Sequence, residues 1–178
     1  MRAKDSTNLI NRALRDHQWK HARRLIKREL RRAPGDHWLT TRLSTTYYEE
    51  MDYQTAVRLS KKALRSAPWC SLALWDYACA LDMSSSKRQA LIQFKKLVSR
   101  GVRGVAFGQC GEGLVWARQL INDARYRVGL TYADLGDVAM ARKWLQRYMS
   151  ARRKGVRSIY PMPEVRKHLA KVKGTTES

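Results

Sequence analysis

Residues 19–34 read WKHARRLIKRELRRAP, and residues 53–68 read YQTAVRLSKKALRSAP. Laid over one another, the two stretches match Trp19 with Tyr53, Ala22 with Ala56, Leu30 with Leu64, Ala33 with Ala67 and Pro34 with Pro68. Leu9 recurs ahead of them as Leu43, again 34 residues on. A further step of 34 reaches Tyr77, Ala90, Val98 and Gly101, while Phe94 and Leu97 prolong the apolar stripe from Ala90; Val102 replaces the proline. A repeat of this length is one supersecondary unit that cannot bury its own apolar face, so neighbouring copies must stack.

Composition agrees with helical repeats. The apolar residues are dominated by Ala and Leu, only 2 Phe occur, and 10 Gly with 4 Pro leave few interruptions, which predicts an all-α protein. At 178 residues the chain has the length of about one domain and can bury a core. A net charge of +21, from 36 Lys and Arg against 15 Asp and Glu, raises the potential around the particle and points to an anionic partner. No apolar run approaches the roughly 20 residues needed to cross a bilayer. The opening MRAKDSTNLINRAL lacks a signal peptide's apolar core, so a cytoplasmic location without membrane attachment is expected. Cys70, Cys79 and Cys110 are odd in number and without CxxC spacing, which suits free thiols, two of them as core filler.

These residues resemble the tetratricopeptide repeat (TPR) family. In the second unit, Leu43, Tyr47, Tyr53, Ala56, Ala63 and Pro68 stand where the family has its large and small packing residues. The stretch RYRVGLTYADLGDVAMARKWLQRY, residues 125–148, carries Val128, Gly129, Tyr132, Gly136, Asp137, Ala141 and Leu145 at the family's spacings, including its LGD turn. The resemblance covers roughly residues 3–153 apart from one insertion. It implies a right-handed α-solenoid of about four helix-turn-helix units, near 3–36, 37–70, 71–104 and 122–155, within one domain spanning 1–173.

Helical periodicity places the basic run. Ala22, Leu25, Ile26, Leu30 and Ala33 form one face, and Lys20, Arg24, Lys27, Arg28 and Arg31 fall on the other, making the run the outer face of a unit's second helix. Such a face is commonly just solvated, but the shortage of interspersed acidic residues keeps RNA, DNA or an acidic protein open as a partner.

Between the third and fourth units the register slips by 17 residues, since Ala90 returns at Ala141 rather than near 124. The intervening GVRGVAFGQCGEG, residues 101–113, holds five glycines and no helical period, and is expected to be a loop. After it, Leu114, Ala117, Ile121, Ala124, Val128, Tyr132 and Leu135 continue one stripe, so the next helix should start early, near Glu112. No GxxxxGK[ST] occurs, and no Lys follows Gly108, Gly111 or Gly113 as phosphate binding would need. A helix start at Glu112 would lower the pKa of Cys110, but no His lies nearby in sequence to activate it, which favours a passive thiol.

His17 and His21 lie four apart without the Glu of HExxH, and the repeat register puts His17 in a turn. No metal ion and no cofactor are therefore expected. At the end of the chain, Pro163 and Glu164 open a helix with Val165, Leu169 and Val172 on one face, a capping helix over about 163–173. Residues 174–178 are expected to be a disordered tail.

The resemblance also implies where a partner would bind. First helices line a concave groove, and the matching positions here are Thr7, Asn11, Trp38, Thr41, Thr45, Tyr48, Trp75 and Tyr126. Aromatic rings beside hydrogen-bonding groups suit an extended peptide or a helix, or the stacked bases of a single strand. Some family members hold a C-terminal carboxylate with a basic clamp, but Thr7, Thr41 and Asp76 occupy positions where its cations would stand. The expected function is a non-enzymatic adaptor binding a protein or peptide, with nucleic acid as the alternative and a homodimer compatible with either.

Overall fold

The computed structural model describes residues 2–174, with side chains described from 5 to 172. Among them are ten α-helices and no strand: α1 (Arg2–Arg15), α2 (Trp19–Arg32), α3 (His37–Glu49), α4 (Tyr53–Ser66), α5 (Ser71–Met83), α6 (Lys87–Ser99), α7 (Gly101–Ala106), α8 (Gly113–Asp134), α9 (Val138–Arg153) and α10 (Met162–Gly174). The expected tail falls, beyond Gly174, outside the described residues.

Consecutive helices pack in series, α1 on α2, α2 on α3, and so on to α6, after which α6 packs on α8 and α8 on α9. The period of 34 is visible in the packing. Ala22, Ala56, Ala90 and Ala141 are each wholly buried, as are Ile26, Ser60, Phe94 and Leu145 four or so residues later. The alanines let the two helices of a hairpin approach, and the larger residues fill the gap to the next hairpin. The core is accordingly a row of layers: one around Ile10, Ile26 and Leu43, a larger one around Leu74, Phe94 and Ile121, and one around Tyr126, Leu145 and Val165.

The turns inside the hairpins repeat too. His17, Met51, Ser85 and Gly136 all take positive φ, at 54°, 63°, 65° and 83°. Only the last is a glycine, so three turns hold a side chain where left-handed backbone costs about 1–2 kcal/mol. Asp52 and Asp137 follow directly and cap α4 and α9 through Thr55 N–H (3.1 Å) and Met140 N–H (3.0 Å), each worth about 1 kcal/mol.

The insertion corrects one expectation. Residues 101–106 are helical, not loop, and Val105 and Ala106 are buried against α8. Gly101, at φ 68°, ends the path of α6 and lets α7 turn back. The early turns of α8 bury Ala117, Leu120 and Ile121 beside α7, which explains why that helix begins at Gly113 with Glu112 as its N-cap residue. Three apolar residues, Val102, Val105 and Ala106, on a helix of six carry too little period to be seen in sequence.

Candidate functional site

Helices α3 and α5 touch and both line one groove. Thr45, Tyr48 and Trp75 meet there in a cavity of about 200 Å³, completed by Ser44, Glu49, Asp76, Cys79 and Ile159. Trp75 is half-buried and packs edge-to-face on Phe94 at 5.7 Å; Tyr48 packs likewise on Tyr53 at 5.5 Å. The Thr45 hydroxyl donates to the Asp76 carboxylate at 2.9 Å. Burial pushes Asp76 up to about 6, partly offset by that hydrogen bond. Burial also raises the Cys79 thiol and the Tyr48 phenol, so both are neutral near pH 7.

The other sequence-predicted positions divide. Trp38 is half-buried outside this cavity, with the Arg42 guanidinium 5.3 Å from its ring centre. Thr7 and Asn11 are half-buried on α1, also outside it. Thr41 and Tyr126 do not face an open groove, contrary to expectation. Thr41 is wholly buried, its hydroxyl donating to His37 O at 2.8 Å within its own helix. Tyr126 is wholly buried between Tyr148 of α9, 5.0 Å away, and the chain after α9, which brings the tilted ring of Tyr160 to 4.5 Å and His168 Nδ1 to 2.6 Å from its hydroxyl. Tyr148 donates to Ser158 Oγ at 3.0 Å, fixing that covering segment. Its Ile159 then supplies one wall of the cavity. No local pattern marks residues 154–161 as a cover; only the turn into α10 does so.

No family model matches the chain, and no curated protein matches it significantly. Solved structures do. A double mutant of MamA superposes with a TM-score of 0.74 over 99% of this chain and 85% of its own, at 19% identity. PilW, a type IV pilus biogenesis factor, gives 0.76 over 98% and 70%, at 16% identity. The N-terminal domain of stress-induced protein-1 from C. elegans gives 0.56 over 77% and 94%, at 18% identity. These neighbours contain tetratricopeptide repeats. The fold is a TPR-like solenoid. Identities this low speak for the fold alone.

Within the TPR frame, the first and second helices differ in charge. On α2, Lys20, Arg24, Lys27, Arg28 and Arg31 are all exposed. Arg28 leans on Glu29 at 3.3 Å, but Lys20, Arg24, Lys27 and Arg31 pair with no acidic side chain among the described residues. Near the other end of the groove the opposite holds. Buried Asp82 pairs with Arg127, and with Lys87 at 2.7 Å; Lys87 also reaches Asp134 at 2.8 Å. That network joins α5, α6 and α8, and removing one partner would leave a buried charge uncompensated.

The environment of Cys110 also departs from the sequence. His37, 73 residues away, brings its Nε2 to 3.0 Å from Cys110 Sγ. Yet the thiol is not activated: burial and the neighbouring Cys70 push it up to about 12, opposite to the lowering expected from a helix start. His17, at positive φ in its turn, and exposed His21 form no metal-holding group with other described residues. No described helix is long and apolar enough to cross a membrane.

Proposed function

We propose that this chain is a cytoplasmic adaptor that binds an extended peptide or helix of another protein in the groove between α3 and α5. What supports this is the cavity where Tyr48 and Trp75 stand open beside Thr45 and Asp76. The rings take an apolar side chain, and the carboxylates of Asp76 and Glu49 take a donor or cation next to it. The overall positive charge speeds encounter with an acidic partner, while these groups select what seats. Replacing Trp75 by Ala should abolish capture of the partner from native extract without changing helical content by circular dichroism. Undiminished capture by Trp75→Ala would remove the groove assignment.

A second reading rests on the four unpaired cations of α2. If this face binds RNA or DNA by neutralising about five phosphates, log affinity falls against log salt with a slope near −4 to −5. Reversing Lys20, Arg24, Lys27, Arg28 and Arg31 to Glu should then abolish nuclease-sensitive capture. A response flat in salt sets this reading aside.

A further inference from the structure

Three side chains that could ligate a metal come together from three separate segments. His37 is the first residue of α3, Cys70 is the N-cap residue of α5, and Cys110 lies in the turn between α7 and α8. The ligating atoms of all three lie within 4.8 Å of one another. In a tetrahedral zinc site, with Zn–S near 2.3 Å and Zn–N near 2.0–2.1 Å, ligand atoms stand about 3.6–3.8 Å apart. The His37–Cys110 separation of 3.0 Å is shorter than this and the upper bound longer, so small side-chain adjustments close the geometry.

Several features hold these sulfurs where they are. Cys110 takes φ 58°, a left-handed conformation unusual for a residue with a side chain. Its neighbours permit the tight turn: a Cβ on Gly111 would stand 2.2 Å from Ala106 O, and one on Gly108 2.6 Å from Gly104 O. The turn carrying Cys70 is tied down by Arg100, which donates to Pro68 O at 2.8 Å, Trp69 O at 3.0 Å and Ser71 Oγ at 3.1 Å.

The choice of residue at position 70 carries information as well. One repeat earlier, Asp36 caps α3 with a 2.9 Å bond to Leu39 N–H, whereas at α5 the larger Cys70 sulfur accepts from Ala73 N–H at 3.4 Å. Sulfur is the poorer cap, since Asp, Asn and Ser are preferred there. A thiol at this place gives up capping strength and supplies a soft ligand instead. The same N–H then serves as an outer-shell donor to the ligating thiolate.

We propose that His37, Cys70 and Cys110 form a zinc-binding site that clasps the insertion to the second and third repeats. Two thiolates and an imidazole suit Zn²⁺ by softness and by number. Cys70 is wholly buried while His37 and Cys110 are partly exposed, so the cluster lies at the edge of the core, where water can complete a tetrahedral set. Bound zinc replaces the two thiol protons, released to solvent, and joins α3, α5 and the 107–112 turn.

The test uses the full chain, reduced and stripped of metal, titrated with Zn²⁺ against a chromophoric chelator and with Co²⁺ as a spectroscopic probe. One equivalent of zinc should bind, and Co²⁺ should show tetrahedral ligand-field bands with sulfur charge transfer. Cys110→Ser and His37→Ala should each weaken zinc by more than the roughly 10–100-fold typical of losing an outer-shell partner. His17→Ala, at an exposed histidine outside the cluster, should leave affinity unchanged. Because Cys70 is fully buried, Cys70→Ser risks misfolding, and partly exposed Cys110 therefore carries the decision. No stoichiometric binding by the reduced wild type, or equal binding by Cys110→Ser, overturns the proposal. So does zinc that binds without sulfur charge transfer in the Co²⁺ form.

Discussion

Trp75 and Tyr126 occupy the same place in consecutive repeats, 51 residues apart once the 17-residue slip is counted, yet their surroundings differ. Trp75 is half-buried on the wall of an open cavity, and Tyr126 is wholly buried beneath Tyr160 and His168. Position in the repeat sets which face of a helix a side chain occupies. What lies over that face is set by distant chain, here the segment between α9 and α10. Part of the groove is thus filled by the protein itself, and the remainder is bounded by Ile159.

The sharpest way to break this comparison is to truncate both rings. Tyr126→Ala should cost about 3–5 kcal/mol in urea unfolding, because it empties a packed site. Trp75→Ala should cost about 1–2 kcal/mol, since part of that ring is already in water. Equal losses would mean that the covering segment contributes nothing to the burial of Tyr126.

A smaller effect tests the hairpin beneath the covered region. A Cβ on Gly129 would stand 2.7 Å from Leu145 Cγ and 2.8 Å from Cδ2. Gly129→Ala should therefore destabilise by about 1–3 kcal/mol through overpacking. At the matching place one repeat earlier, Ala78 is wholly buried, so that hairpin already accommodates a methyl group. A neutral Gly129→Ala would show that α8 and α9 can separate as α5 and α6 have.

Two carboxylates, half-buried Asp76 and buried Asp123, sharpen the contrast through pH. Burial pushes both Asp76, in the open cavity, and Asp123, under the cover, up to about 6. The unfolded values lie near 4, so between about pH 4 and 6 the folded state binds more protons and stability falls as pH rises. Asp76→Asn should flatten that decline and recover about 1–2 kcal/mol at pH 7 after allowance for partial exposure. A ligand in the cavity should move the titration of Asp76 while leaving that of Asp123 in place, as measured by carboxyl NMR shifts.

The smallest expected change concerns the turns. Met51→Gly should raise stability by about 0.5–1 kcal/mol, because Met51 holds φ 63° where glycine fits without strain. Gly136→Ala should lower it by a similar amount at the equivalent turn. Thermal unfolding of the pair checks whether all the hairpin turns share one backbone shape.

Much of the architecture was legible because it is written in local periods. The 34-residue echo from Ala22 to Ala56 to Ala90, the slip to Ala141 and the stripe starting near Leu114 require only helix geometry and the need to stack. The basic face of α2 was legible for the same reason. Of the named groove positions, Thr45, Tyr48 and Trp75 share a cavity, whereas Thr41 and Tyr126 are buried. His17 was placed in a turn, but the left-handed backbone at His17, Met51 and Ser85 was not legible, since none is a glycine and only their common spacing of 34 marks them.

Amino-acid order alone therefore settled that helices would form, which faces would turn inward and that hairpins would stack, because each follows from residues a few places apart or one repeat apart. Tertiary structure decided which groove faces stay open and brought His37 to Cys110 across 73 residues. Such meetings depend on the summed turns of several stacked helices and on a segment folding back, and no period in the chain encodes where those end.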